Sequence, residues 1–240
     1  MTKILTLLAA AIGFASASVH AHQIWLEQPA NGGAVIRFGE FGENLREASP
    51  GLLDNFGKPT ATLVSGRGED KSVDAAKTPT GFALPFAAKA GQSIVAEDAN
   101  FPLRKFKQGD KELTSWFHPA ARLITGFAEQ QPRLALDLVP AGRPGEFKLT
   151  FKGQPLPKTK VTLITQSGWS KEDHTDEQGL VKFDMPWKGQ YVAEVMYIER
   201  APGERAGEKY DGINHVTTLT YVKPAGVAPI PAGPAAAPNK

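Results

Sequence analysis

Hydrophobic residues in this chain recur in short runs with a period of two, a pattern that builds strands and leaves little room for long amphipathic helices. Phe147, Leu149 and Phe151 alternate with Lys148, Thr150 and Lys152. A pleated backbone sends successive side chains to opposite sides, so this run is a strand with one buried face. Residues 161–165, 181–184, 191–197 and 216–222 repeat the theme, and Gly153-Gln154-Pro155, Asp176-Glu177-Gln178-Gly179 and Trp187-Lys188-Gly189 separate the runs as turns. Such spacing suits an immunoglobulin-like or transthyretin-like sandwich of about seven strands.

The first half carries the same signal more weakly. Val35, Ile36, Phe38 and Phe41 fall among Arg37 and Glu40, residues 60–64 and 93–96 are further short strands, and Gly32-Gly33, Gly66 and Gly91 mark turns. Residues 98–123 are irregular: Arg104, Lys105, Lys107 and Lys111 mix with Phe106, Trp116 and Phe117, which reads as a long loop holding a short helix. The expectation is an all-β protein of two β-sandwich domains, an N-terminal β-rich domain over 22–133 and the clearer sandwich over 134–223. Residues 224–240 are almost all Pro, Ala and Gly and predict a disordered tail. The 41% hydrophobic content suffices for real cores, and the absence of cysteine removes disulfides, thiolate metal sites and a cysteine nucleophile.

The start reads as an export signal over residues 1–21: Lys3, an apolar stretch over 4–14, and the small-residue cleavage site Val19-His20-Ala21. An apolar run of about 11 residues is well short of the ~20 that cross hydrocarbon, so the expectation is a periplasmic protein that does not span the membrane. Without Lys3, 26 basic residues face 25 acidic ones, a balance that argues against nucleic acid or an anionic membrane as partner. The basic cluster of residues 104–111 has only Phe106 interleaved, too little for a base-stacking platform.

Cleavage after Ala21 would make His22 the first residue, and a terminal histidine offers its α-amine and its imidazole to one ion as a chelate. Nitrogen donors suit Ni²⁺, Cu²⁺ and Co²⁺. Cleavage after Ala17 would instead expose Ser18-Val19-His20, a square-planar chelator of Cu²⁺ or Ni²⁺. Of the other histidines, His215 opens the last strand and is the first choice as an additional ligand. His118, in Trp116-Phe117-His118-Pro119, is the second, and His174 sits in a charged hairpin facing water. Glu27, Glu40, Glu43 and Asp211 are carboxylates able to assist. No Gly-x-Ser-x-Gly elbow, His-Glu-x-x-His pair or Gly-Lys-Ser/Thr phosphate loop occurs, so the expectation is a binding protein and not an enzyme.

Several separated segments together resemble a known family. They are the start His22-Gln23-Ile24-Trp25-Leu26-Glu27, the pair Ala121-Arg122-Leu123 and Leu136-Asp137-Leu138-Val139-Pro140, the hairpins around Gly153-Gln154-Pro155-Leu156 and Thr175-Asp176-Glu177-Gln178-Gly179, and the closing Tyr210-Asp211 with His215-Val216-Thr217-Thr218-Leu219-Thr220-Tyr221. The chain is similar in these to bacterial periplasmic proteins carrying a domain of unknown function associated with nickel and cobalt uptake. The resemblance implies a two-domain all-β protein that binds a divalent transition metal, nickel before copper or cobalt, and hands it to an inner-membrane importer. His22, His215 and His118 are the expected ligands. Two other readings stand beside it: a copper redox enzyme using a terminal-histidine brace, and a scaffold or adhesion protein that binds no metal.

Overall fold

The structure is a computed structural model that describes residues 22–66 and 68–239; the expected export signal and His20 lie outside the described residues. The first half forms β1 (Gln23–Glu27), β2 (Val35–Glu40), β3 (Leu45–Arg46), β4 (Thr60–Val64), β5 (Lys71–Asp74), β6 (Ala76–Thr78), β7 (Gly81–Ala83), β8 (Ser93–Glu97), β9 (Leu103–Gln108) and β10 (Lys111–Ile124). The second half forms β11 (Leu136–Pro140), β12 (Glu146–Phe151), β13 (Gln154–Pro155), β14 (Lys160–Thr165), β15 (Ser170–His174) and β16 (Leu180–Lys182). It ends with β17 (Gly189–Glu199), β18 (Gly203–Arg205), β19 (Glu208–Tyr210) and β20 (Gly212–Lys223). The only helical turn among the described residues is a short 3-10 segment, Leu52–Asn55, so the chain is all-β as its periodicity predicts. No helix among the described residues is long and apolar enough to cross a membrane.

One nine-stranded sheet organises the molecule, in the order β15-β14-β17-β20-β10-β8-β4-β5, with β9 paired to β10. Its centre is the parallel pair β10 and β20, in register from Ser115 opposite Gly212 to Ile124 opposite Tyr221. A smaller sheet, β1-β2-β7-β6 with β3, packs Ile24, Leu26, Ile36, Phe38 and Phe82 onto Ala61, Leu63, Ile94, Ala96, Ala121 and Leu123. Another, β11-β12-β13 with β16, packs Leu136, Leu138, Phe147 and Leu149 onto Val161, Leu163, Ala193, Val195 and Leu219. These two layers cover opposite faces of the long sheet. Ala121 and Leu219 belong to different cores, and the register pairs them with Thr218 and Arg122, so they differ by one step along adjacent strands. One step along a strand reverses the face.

Two segments differ from the sequence expectation. Residues 98–123 hold no helix: β9 and the first half of β10 form a hairpin turning at Gly109 (φ 62°). The hairpin is exposed along almost all of β9, so it has no buried face and no alternation to read. Pro119 is tolerated inside β10 because there the strand changes partner, from β9 up to Trp116 to β8 from Ala120 onward. Composition also predicts a disordered tail, whereas residues 224–239 run back along the molecule in bonded contact. Val227 accepts from the Lys188 N–H (2.9 Å) and donates to Pro186 (3.0 Å), and Asn44 Nδ2 donates to the Gly233 carbonyl (2.9 Å). A stretch rich in proline is already stiff and extended, so little conformational entropy opposes its docking through a few hydrogen bonds.

Candidate functional site

The antiparallel register of β1 and β2 pairs Gln23 with Gly39, which carries His22, one residue earlier, to Glu40. His22 Nδ1 lies 3.3 Å from Glu40 Oε1, and Nε2 lies 2.5 Å from Glu47 Oε1. Glu47 is delivered by β3, which folds back onto β2 with Glu40 opposite Leu45. That return needs Gly39: at φ 142° its Cα sits so close to the crossing chain that a Cβ would lie 2.3 Å from the Leu45 carbonyl oxygen. The Glu47 side chain is fully buried. It accepts from the Asn239 backbone N–H at 2.9 Å and the Asn239 side-chain amide at 2.6 Å, so the tail ends on the carboxylate that holds the histidine.

The His22 ring rests against Phe38 (centroids 5.1 Å apart), which fixes its plane. Glu47 can only accept, so its partner Nε2 carries a proton. On the other side, a bare Nδ1 lone pair and a Glu40 carboxylate oxygen repel each other unless a positive charge lies between them. The arrangement therefore suits either a doubly protonated imidazolium or a cation bound at Nδ1.

Glu40 is shared with a cleft of about 470 Å³ between the β2–β3 turn and strands β14 and β17, lined by Gln23, Glu43, Lys160, Glu172 and Glu194. Four carboxylates face one lysine there. Burial pushes the Glu194 carboxyl up to about 7; Lys160 opposes this and nearby Glu40 reinforces it.

His118 and His215 are brought together, but not with His22. They sit opposite each other in the β10–β20 register, with ring centroids 5.4 Å apart. Both lie on the face covered by β11 and β12, where Phe151 packs edge-on against His215. His22 rests on Phe38 and the sheet of β1 and β2, on the other face. The nine-stranded sheet stands between them, which corrects the expectation that His215 completes a chelate at His22. His118 Nε2 lies 2.9 Å from Glu97 Oε2, and His215 Nε2 lies 3.1 Å from Glu199 Oε2. Burial holds His215 below the ordinary histidine range, against the pull of Glu199 and with help from the neighbouring His118. Burial pushes Glu199 up, but its bonds to Lys152 and His215 outweigh that and leave it low.

The remaining candidates have structural partners. Glu27 binds Arg37 and Arg46, Asp211 accepts the Thr114 N–H at 2.7 Å, and His174 is exposed on β15. Glu47, Glu97, Glu199 and Asn239 escaped sequence reasoning, since none belongs to a motif and only chain reversal places them. Among the described residues, no group of three His, Asp or Glu side chains converges to hold a metal ion. At His22 the reason is visible: its two carboxylates sit on opposite ring nitrogens.

The fold and site define an all-β protein of stacked sandwiches with a histidine held between carboxylates at the first strand. A family model described as a domain of unknown function (DUF4198) matches residues 19–199, and the chain belongs to that family. The match takes in His22, Glu40, Glu47 and His118 and stops short of His215. No curated protein matches the chain. Among solved structures, a segment of two fibronectin type III domains from chicken tenascin aligns with 81% of this chain and 96% of its own, at 11% identity and a TM-score of 0.20.

Proposed function

We propose that the protein is an exported, periplasmic carrier of a divalent transition-metal ion, nickel before copper or cobalt, serving an inner-membrane importer, and that it is not an enzyme. The observation that carries this reading is the clamp on His22. Glu47 holds Nε2 as an outer partner and so directs the Nδ1 lone pair toward Glu40, the role carboxylates play behind metal-ligating histidines. Export cleavage after Ala21 would add the α-amine, so the donors would be that amine, Nδ1 and a Glu40 oxygen. The bound ion would supply the positive charge between Nδ1 and Glu40. The acidic cleft beside it favours approach of a cation. A redox enzyme built on a histidine brace needs a second imidazole at His22, and His118 and His215 stand on the other face of the sheet.

Calorimetric titration with Ni²⁺ tests the reading on protein beginning at His22, on protein with one alanine ahead of it, and on Glu47→Gln. The added residue should abolish the chelate, and Glu47→Gln should weaken binding on the order of 10–100-fold. Equal affinity in all three would overturn it.

A further inference from the structure

We propose that His118 and His215 form a second metal site, separate from His22 and suited to a tetrahedral divalent ion such as Zn²⁺ or Co²⁺. Each imidazole has its own carboxylate on Nε2, Glu97 for His118 and Glu199 for His215. An ionised carboxylate accepts, so both Nε2 atoms carry a proton and Nδ1 is the nitrogen each ring has left to offer a metal ion. The two imidazoles lie side by side, on adjacent strands whose register fixes their spacing.

That spacing selects the ion. With metal–nitrogen bonds of about 2.0–2.1 Å, a ring centroid lies about 3.2 Å from the metal. Two imidazoles then stand about 5.2 Å apart at the tetrahedral angle and about 4.5 Å apart at a right angle. The observed 5.4 Å matches the tetrahedral case. Square-planar Cu²⁺ or Ni²⁺ is the poorer fit. Protein supplies two donors, and water completes the shell, because Glu97 and Glu199 are engaged at the opposite ring nitrogens.

The surroundings add two further observations. On the same face, two residues before His118 on its strand and two residues after His215 on the other, the Trp116 Nε1 and Thr217 Oγ1 atoms are buried with no hydrogen-bond partner. Buried polar atoms are normally satisfied, and such exceptions mark places where water belongs, as a metal-bound water would be here. Trp116 also stacks on the His118 ring at 5.1 Å and 18°, while Phe151 closes the His215 side at 5.3 Å. The imidazoles are thus held in place before any ion arrives, which lowers the entropic cost of binding it.

The experiment uses the full chain carrying His22→Ala, so that the first site cannot contribute. Titration with Co²⁺ should give one equivalent with the intense visible absorption of tetrahedral cobalt and quenching of tryptophan fluorescence that Trp116→Phe removes. Zn²⁺ should displace it. Adding His118→Gln and His215→Gln should abolish all three signals. If that variant does not fold by circular dichroism, Glu199→Gln replaces it, with an expected loss on the order of 10–100-fold. No cobalt binding by His22→Ala, or undiminished binding in the histidine or Glu199 variants, would overturn the proposal. Because His22 is absent throughout, the outcome does not depend on the first site.

Discussion

Arg122 and Asp137 are both fully buried, and they meet as a fork: Nε to Oδ1 at 3.0 Å and Nη2 to Oδ2 at 2.5 Å. Asp137 also accepts the backbone N–H groups of Arg133 (2.7 Å) and Leu134 (3.2 Å), so one carboxylate ties the end of β10 to the start of β11. Removing one partner of a buried pair strands the other charge away from water. Arg122→Met should therefore cost about 3–5 kcal/mol, while adding Asp137→Leu should recover part of that loss. Denaturant midpoints of the two single variants and the double variant measure it; a double variant no better than Arg122→Met would show that the pair is not coupled. This clasp lay within the segments that carry the family resemblance, yet nothing in Ala121-Arg122-Leu123 discloses its burial. The candidate site was legible to a similar degree. His22, His118 and His215 stand out because imidazoles are scarce, whereas Glu47, Glu97 and Glu199 look like any other acidic residue until β3, β8 and β17 bring them to the rings.

At the scale of elements, legibility follows burial. β12, β14 and β17 each have one clearly buried face, and their alternation is plain in the sequence. β9 is exposed on both sides and gives no signal, and the parallel pairing of β10 with β20 depends on residues about a hundred positions apart, which no local pattern encodes. The tail was misleading for the opposite reason. Its composition cannot build a core, but it docks by hydrogen bonds: the Ala236 N–H reaches the Asn44 carbonyl, and Asn239 gives Glu47 two donors. Ending the chain at Ala232 leaves the buried Glu47 carboxylate short of those donors, which should lower stability by about 1–3 kcal/mol. Asn239→Ala keeps the backbone N–H and should cost less. Urea unfolding of the three proteins checks this, and coincident curves would mean that the tail contributes nothing to holding Glu47.

Across the whole molecule, the long sheet carries a separate layer on each face, and Trp25, Phe41, Ile164 and Val192 form the seam where the β1–β2 layer reaches over β14 and β17. Glu194 lies at that seam, in the acidic cleft, so its charge opposes closure of the first layer onto the second half of the sheet. Its carboxyl rises from 4.5 to about 7, chiefly through burial. The sign follows directly. Between pH 4.5 and about 7 the folded protein keeps a proton that the unfolded chain releases, so this group's contribution is complete below pH 4.5 and is lost as pH rises through about 7. Glu194→Gln keeps the shape and removes the charge. At pH 8 it should stabilise the fold by about 2 kcal/mol, a value discounted for the water that reaches the cleft, and near pH 4.5 it should change little. Chemical denaturation at both pH values separates this from a general packing effect, because improved packing would shift both midpoints alike. A gain confined to high pH would mean that the two layers close against a charge the cleft retains, in keeping with a surface that draws cations toward His22.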